Sequence, residues 1–470
     1  MKRLSFNKVN SSVFRRLSEI SGPKAVFNNE EMRDKYSRDE TIGLSYRPEA
    51  VVLPASQKEI KDILLLANSE NIPVTPRGLG TGLSGGAVPL YGGIVLSLER
   101  MNNLIEIDRE NLMAVTEPGI ITGQLQEAVE AENLFYPPDP ASLESCSIGG
   151  NVAEGAGGSR AVRYGTTKDY VQGIDMVLPD GNAIQTGGKV VKDVTGYNLT
   201  QLIIGSEGTL AVVTRIILRL IPLPRFRMDL LVPYSSLEEA ARTVSEIIDA
   251  KIVPTAVEFM ERNCFELAEN HIKRKLAYRD AAAHLLITLD GNHEKALEEK
   301  RNLVGKICER NGAYDIFVAT TRPDIERMWE GRKYLFEAAN TDGGLYKSLD
   351  VVVPRSIIPT LINKIQMISE KYRIRAMTFG HAGDGNVHVL LFKGELADDV
   401  WEKNIERAQK QLYKETVHLG GKITAEHGIG LLRKSYLTMN LGSNQVEVLR
   451  QLKRAFDPNS ILNPGKIFDL

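Results

Sequence analysis

Two short stretches hold the side chains best suited to bind a metal or move a proton. "GHAGDGNVH" carries His381 and His388, and "TAEHGIG" carries Glu426 beside His427. The chain has only seven histidines, so finding His381, His388 and His427 in these two stretches is a concentration. Asp384, Gly385 and Asn386 are turn residues between two β-like runs in 377–392, which predicts a hairpin with His381 and His388 on neighbouring strands. Opposed residues on paired strands lie roughly 5 Å apart at Cβ, close enough to share one ion. Two histidines alone could equally flank a structural hairpin. Glu426 would supply a third ligand, and two imidazoles with a carboxylate suit zinc, iron or manganese with positions left for substrate.

A second chemical signal is glycine. Residues 80–85 read "GTGLSG", a literal G-x-G-x-x-G. Upstream, "AVVLP" (50–54) reads as a strand, Ser56 and Glu59 as a capping box, Ile60, Ile63, Leu64 and Ala67 as a helical stripe, and "IPVTP" (72–76) as a second strand. A Rossmann turn must then open a helix. The chain instead continues "GAVPLYGG", and the strand "GIVLSL" (93–98) arrives too soon for a crossover. Two readings are left for the glycines between 78 and 86: a phosphate cradle of bare backbone N–H groups, or a merely tight loop. Two further glycine-rich stretches, 136–171 and 190–220, follow in the same half, as expected if loops line a long cofactor.

These motifs carry a resemblance. "PRGLGTGLSGG", "PPDP", "SIGGNVAEGAGG", "RYGTTKDYV" and "GYNLTQLIIGSEGTLAVVT" stand in the order seen in the flavin-linked D-2-hydroxyacid dehydrogenases of the D-lactate dehydrogenase and glycolate oxidase type. Those have the vanillyl-alcohol-oxidase-like (PCMH-type) FAD fold. The resemblance is weakest before about residue 40 and in 225–325. It implies FAD contacts from Arg77, Gly78, Gly80, Thr81 and Gly82, from Pro138, Asp139 and Ser142, from Gly149, Gly150 and Asn151, from Gly157, Gly158, Tyr164 and Gly165, and from Glu207 and Gly208. Thr81 stands near the place where covalent members carry a flavin-linked histidine, so the FAD is expected to be non-covalent. The resemblance further implies that His381, His388 and Glu426 bind a divalent metal and that His427 is the catalytic base. It points to Arg332 and Lys347 as the clamp for the substrate carboxylate, a group that arginine suits well. Where relatives acting on D-2-hydroxyglutarate carry polar residues, this chain has Phe336 and Leu390. A second carboxylate would find little to pair with there, so a short acid is expected: D-lactate, glycolate or D-2-hydroxybutyrate.

The totals agree with a soluble multidomain enzyme. The chain has 470 residues, 43% hydrophobic and 25% charged, with net charge -2, so nucleic acid is not an expected partner. Cys146, Cys264 and Cys308 form no CxxC pair, which argues against a disulfide scaffold, a cysteine-bound zinc and an iron–sulfur cluster. No apolar run is long enough to span a membrane, and Val13, Phe14, Leu17 and Ile20 give the start a helical stripe, read as a docking helix in preference to a membrane-surface anchor. A cytoplasmic protein is expected, peripheral to a membrane only through a partner. Pro222 and Pro224 mark a boundary, followed by helices near 236–250 and 294–311 interleaved with strands such as 284–291 and 350–354.

The expected fold class is α+β. A two-subdomain PCMH-type FAD domain with an N-terminal extension spans 1–224. A substrate or cap domain with an antiparallel sheet and the metal-binding hairpin spans 225–420, and a C-terminal segment, 421–470, returns to the FAD domain. No second redox centre is readable, so an electron acceptor is implied: an electron-transfer flavoprotein, an iron–sulfur subunit, a quinone or oxygen. A homodimer and a hetero-complex are both open. The alternatives are a D-2-hydroxyglutarate-type dehydrogenase and a non-catalytic flavin electron relay; a metal hydrolase would leave the first 220 residues unexplained.

Overall fold

The computed structural model describes residues 5–342 and 344–470; Met1–Leu4 of the basic start and Gly343 of "GGLYK" lie outside the described residues. The chain divides into two compact units, one of Met1–Gly157, Thr166–Leu223 and Glu426–Leu470, the other of Gly158–Gly165 and Pro224–Ala425. Relative to the ranges 1–224, 225–420 and 421–470, residues 158–165, Pro224 and residues 421–425 join the second unit.

In the first unit, helix Ser11–Ser21 begins at Asn10, whose side chain accepts hydrogen bonds from the Ser12 and Val13 amides. Its Val13 and Leu17 are buried, with Phe14 and Ile20 packed beside them, in a core that includes Ile60, Ile63 and Leu64. This is the docking helix expected from the stripe. Helix Gln57–Ser69 supplies those three residues. Strands Ala50–Val52, Val74–Arg77 and Ile94–Ser97 join Val26–Phe27 in a four-stranded sheet.

The glycine loop departs from expectation in one respect. Ile94–Ser97 pairs in parallel with Val74–Arg77, so a crossover is present after all. A parallel return needs roughly a dozen residues and usually uses a helix; here the irregular segment 78–93 makes it alone. A second, antiparallel sheet follows the order Leu104–Asp108, Met113–Thr116, Val212–Arg219, Val171–Val177, Ala183–Gly187. The C-terminal segment closes the unit. Leu462 bridges in parallel to Val74, and Ile461 and Leu462 enter the same core as the docking helix.

The second unit is built on a seven-stranded sheet in the order Phe317–Ala319, Phe226–Tyr234, Ala283–Gly291, Ala256–Glu261, Arg375–His381, Asn386–Phe392, Tyr346–Val352. Every pairing in it is antiparallel, as expected of the cap. Helix Leu237–Asp249 starts at a capping box of Ser236 and Glu239, and helix Glu294–Arg310 follows the strand Ala283–Gly291. Side chains alternate between faces along each strand. On one face, Met260, Met377, Phe379, Leu390 and Phe392 pack against Cys264 and Phe265 of helix Arg262–Ile272 and Leu335 and Ala338 of helix Leu335–Asp342.

Candidate active site

The hairpin forms where the turn residues require it. Gly385 has φ +95°, and a Cβ there would stand 1.9 Å from the Val353 carbonyl oxygen, so the turn accepts only glycine. His381 pairs with Asn386, and Phe379 with His388. The two histidines are therefore diagonal neighbours on one face rather than directly opposed. Their ring centroids lie 5.2 Å apart with planes at 84°. Both are buried.

Two carboxylates organise this face. Glu258, directly opposite His381 in the register, is fully buried. Its Oε1 lies 2.5 Å from His381 Nδ1, and its Oε2 accepts from Arg332 Nε at 2.7 Å. Burial pushes the Glu258 carboxyl up, but His381 and Arg332 more than offset this, and it is held below the usual range. Arg332 also lies over the Phe379 ring, 5.0 Å from its centroid. Asp350, opposite His388, is likewise fully buried. Its Oδ1 accepts from Asn386 Nδ2 at 2.8 Å and lies 3.7 Å from His388 Nδ1. Its Oδ2 accepts from Thr424 Oγ1 at 2.8 Å and the Ala425 amide at 2.9 Å. Asp350 thus fixes Thr424 and Ala425 at the end of the second unit.

Arg332 is brought to the histidines; Lys347 is not. Lys347 pairs with Leu391, one residue out of phase with the Asp350–His388 pair. Strand alternation turns its Cβ to the opposite face of the sheet. Phe336 and Leu390 do meet the histidines' face. Phe336 sits edge-on to His388 with centroids 5.7 Å apart, and to Phe379 at 5.3 Å. Leu390 is fully buried in the same cluster.

In the first unit the glycine segments lie close together. Gly78 runs so near the N-cap of helix Ile148–Glu154 that a Cβ would stand 2.4 Å from Ser147 Oγ. Gly80 has φ +78° and lies under the Arg77 guanidinium, which donates to the Arg38 carbonyl at 2.7 Å. Thr81 and Gly82 continue the half-buried loop, and Gly82 accepts from the Glu40 amide. Gly149 packs on Pro118, and Gly150 donates its amide to Ser147 Oγ. Pro138 accepts from Gln126 Nε2, Ser142 accepts from the Ser145 and Cys146 amides, and Asp139 is half-buried. A Cβ on Gly157 would stand 2.6 Å from Glu426 Oε2.

Three residues expected among the cofactor contacts also bond within the protein. The Asn151 amide is buried and donates to Thr122 Oγ1 at 2.7 Å. Both Glu207 carboxylate oxygens accept backbone amides, from Ile429 and Gly430 at 2.7 Å each. That carboxylate holds the C-terminal segment, while neighbouring Gly208 (φ +64°) packs on Pro76. Tyr164 belongs to the second unit with Gly158 and Gly165, and its hydroxyl donates to both Asp290 oxygens at 2.9 and 3.0 Å. Around Glu207 lies a buried charge cluster. Burial, then Glu207 and Asp39, push the Glu154 carboxyl well above its usual range. Arg433 Nη1 donates to the Gly428 carbonyl, and Lys466 Nζ to the Val88 carbonyl and Asn463 Oδ1.

Comparison with known proteins decides the family. Residues 223–467 match the model of the C-terminal domain of FAD linked oxidases, and residues 48–187 match an FAD binding domain. The chain belongs to the FAD-linked oxidases. It is 40% identical to glycolate oxidase subunit GlcD of Bacillus subtilis (strain 168), over 98% of this chain and 97% of that protein. It is 37% identical to a D-lactate dehydrogenase of Anaerostipes hadrus, over 99% of each. The solved structure of p-cresol methylhydroxylase with substrate bound has the same fold, with TM-score 0.79 at 17% identity over 97% of this chain and 96% of that one.

This FAD-linked oxidase therefore carries the PCMH-type fold and is a flavin-dependent oxidoreductase. The glycines from 78 to 158 fall inside the matched FAD binding domain. Gly78, Gly80, Gly149 and Gly157 each lie where a Cβ would overlap a protein neighbour, and loop 76–83 is half-buried, so these segments pack as bare main chain. Among the described residues no helix is long and apolar enough to cross a membrane. Cys146, Cys264 and Cys308 are free and buried. The residues missed from the sequence are Glu258 and Asp350. Their one available signal was an acidic residue inside an apolar strand run, in "AVEFME" and "SLDVVV".

Proposed function

We propose that this oxidase converts a short D-2-hydroxy acid, D-lactate or glycolate, to the 2-oxo acid. The observation that carries the reading is the second unit's sheet face, where Glu258 holds both Arg332 and His381 and Phe336 and Leu390 surround His388. Arg332 offers its fork to the substrate carboxylate. Phe336 and Leu390 accept a small apolar tail and leave a second carboxylate without a partner. His427 takes the hydroxyl proton. His381, His388 and Glu426 hold a divalent metal, zinc, iron or manganese. The donor chemistry supports this, since two imidazoles meet on one buried face and His381 is backed by a carboxylate on its other nitrogen. When bound, FAD accepts the hydride and the metal polarises the hydroxyl. The reduced flavin implies an acceptor: an electron-transfer flavoprotein, an iron–sulfur subunit, a quinone or oxygen.

The test is an anaerobic absorbance titration of metal-replete enzyme with D-lactate, L-lactate, glycolate and D-2-hydroxyglutarate. Flavin bands near roughly 375 and 450 nm should bleach with D-lactate or glycolate. Preference for D-2-hydroxyglutarate would refute the argument from Phe336 and Leu390. Bands that persist with all four acids would refute the proposed activity and favour an electron relay.

A further inference from the structure

Glu258 is a fully buried charge of the second unit. It lies in the middle of strand Ala256–Glu261, in the interior of the sheet, at a position where an apolar residue would cost less. Both of its oxygens are used, and by two residues of different assigned roles. Oε2 accepts from Arg332 Nε at 2.7 Å, and Oε1 meets His381 Nδ1 at 2.5 Å. Arg332 reaches it from helix Arg322–Lys333, and His381 stands on the neighbouring strand. The Arg332 guanidinium is further confined over Phe379. A mere counter-ion for a buried arginine would need only one of these contacts.

We propose that Glu258 is a positioning residue that couples the carboxylate clamp to the metal ligand. Its Oε1 fixes the His381 ring with the proton on Nδ1, so that Nε2 is the nitrogen presented to a metal. Its Oε2 fixes the plane of the Arg332 fork. One carboxylate thereby sets the spacing between the bound acid's carboxylate and the ion. The inference rests on the role of this face in hydroxy-acid oxidation proposed above.

Glu258→Gln tests it with little change of shape. Arg332 Nε–H and His381 Nδ1–H are both donors, and a glutamine has only one acceptor oxygen. At least one contact must therefore be lost. Three quantities should be measured on the FAD-loaded enzyme: zinc affinity by chelator competition, kcat and KM for D-lactate and glycolate, and the Nδ1 proton of His381 by NMR of selectively 15N-histidine-labelled protein, assigned with His381→Gln. The expected result is roughly 10- to 100-fold weaker zinc binding, a KM raised by about tenfold or more, and loss of the His381 Nδ1 proton signal. Glu258→Asp should restore one contact and so recover either zinc affinity or KM, not both. Raised KM with zinc affinity and the His381 proton unchanged in Glu258→Ala, which keeps neither acceptor, would reduce Glu258 to a counter-ion of Arg332 and overturn the proposal. Unchanged values of all three would also overturn it. Should Glu258→Gln fail to fold, Glu258→Asp is read in its place, and wild-type zinc affinity together with wild-type KM in it would overturn the coupling. The NMR signal needs neither metal nor substrate. A wild-type enzyme that shows it but is bleached by no hydroxy acid would locate the error in the proposed activity instead.

Discussion

Replacing Arg332 by lysine keeps the charge and removes the fork. Arg332 is 7% exposed and spends Nε on Glu258, leaving its Nη groups to grip a substrate carboxylate in the proposed reaction. A lysine Nζ is a single point of charge. It can stay with Glu258 or face the substrate, but it cannot form a parallel pair of bonds. A hydrogen bond to a charged group contributes about 1.5–3 kcal/mol. Losing one of these in the productive complex costs about 1.5–3 kcal/mol, or roughly 10- to 150-fold in kcat/KM. The carboxylate is held in both ground and transition states, so most of the loss should appear in KM. Stability should change little, because Glu258 keeps a cation. Trp329 and Trp401 both lie in the second unit, and the urea midpoint of their fluorescence checks this directly. The assay is steady-state oxidation of D-lactate and glycolate with an artificial acceptor. An Arg332→Lys enzyme with KM and kcat/KM within threefold of wild type would refute the clamp. A fall in kcat at unchanged KM would mean that Arg332 acts on the transition state alone.

Three further outcomes follow from particular contacts. Gly385→Ala meets both a left-handed φ and the Val353 carbonyl at 1.9 Å; a loss of about 2 kcal/mol or more is expected in the second unit, read by tryptophan fluorescence in urea, together with weaker zinc binding at the proposed site. Gly157→Ala places a Cβ 2.6 Å from Glu426 Oε2, the movable end of a side chain, so the protein should fold while zinc affinity measured by chelator competition falls. Lys466 is pushed down from 10.5 to about 8, chiefly by burial. Between those values the folded state binds fewer protons than the unfolded, so stability should rise as pH rises from 8 towards 10.5, by about 3 kcal/mol in all. Lys466→Met should remove that slope in urea melts followed by far-ultraviolet circular dichroism.

Local pattern revealed more of this protein than pairwise chemistry did. The docking helix, the hairpin and the antiparallel sheet could be read from periodicity and turn residues because each depends on residues near one another in the chain. The glycine loop was legible as backbone meant for close approach, but not as a parallel crossover, since nothing local says which strand Ile94–Ser97 will join. The site failed to read through in the same way. His381 and His388 announce themselves by residue type, whereas Glu258 is separated from Arg332 by 74 residues and from His381 by 123. In sequence it is one acidic residue among 60, and only strand register shows that its two oxygens have two claimants. Lys347 fails by the converse logic. It has the right charge near the right strand, yet a period-two side-chain repeat turns it away from the histidines. For a site laid on a sheet, parity along each strand therefore discriminates among candidates that residue type alone leaves equal. Ser348, one position on, pairs with Leu390 and so occupies the histidines' face. A cation moved there by Ser348→Lys should lower KM for a dicarboxylate such as D-2-hydroxyglutarate, whereas Lys347→Ala should leave KM for D-lactate within a few-fold of wild type. A large KM increase in Lys347→Ala would show that the lysine reaches the substrate despite its register, and parity would then lose its force as a filter here.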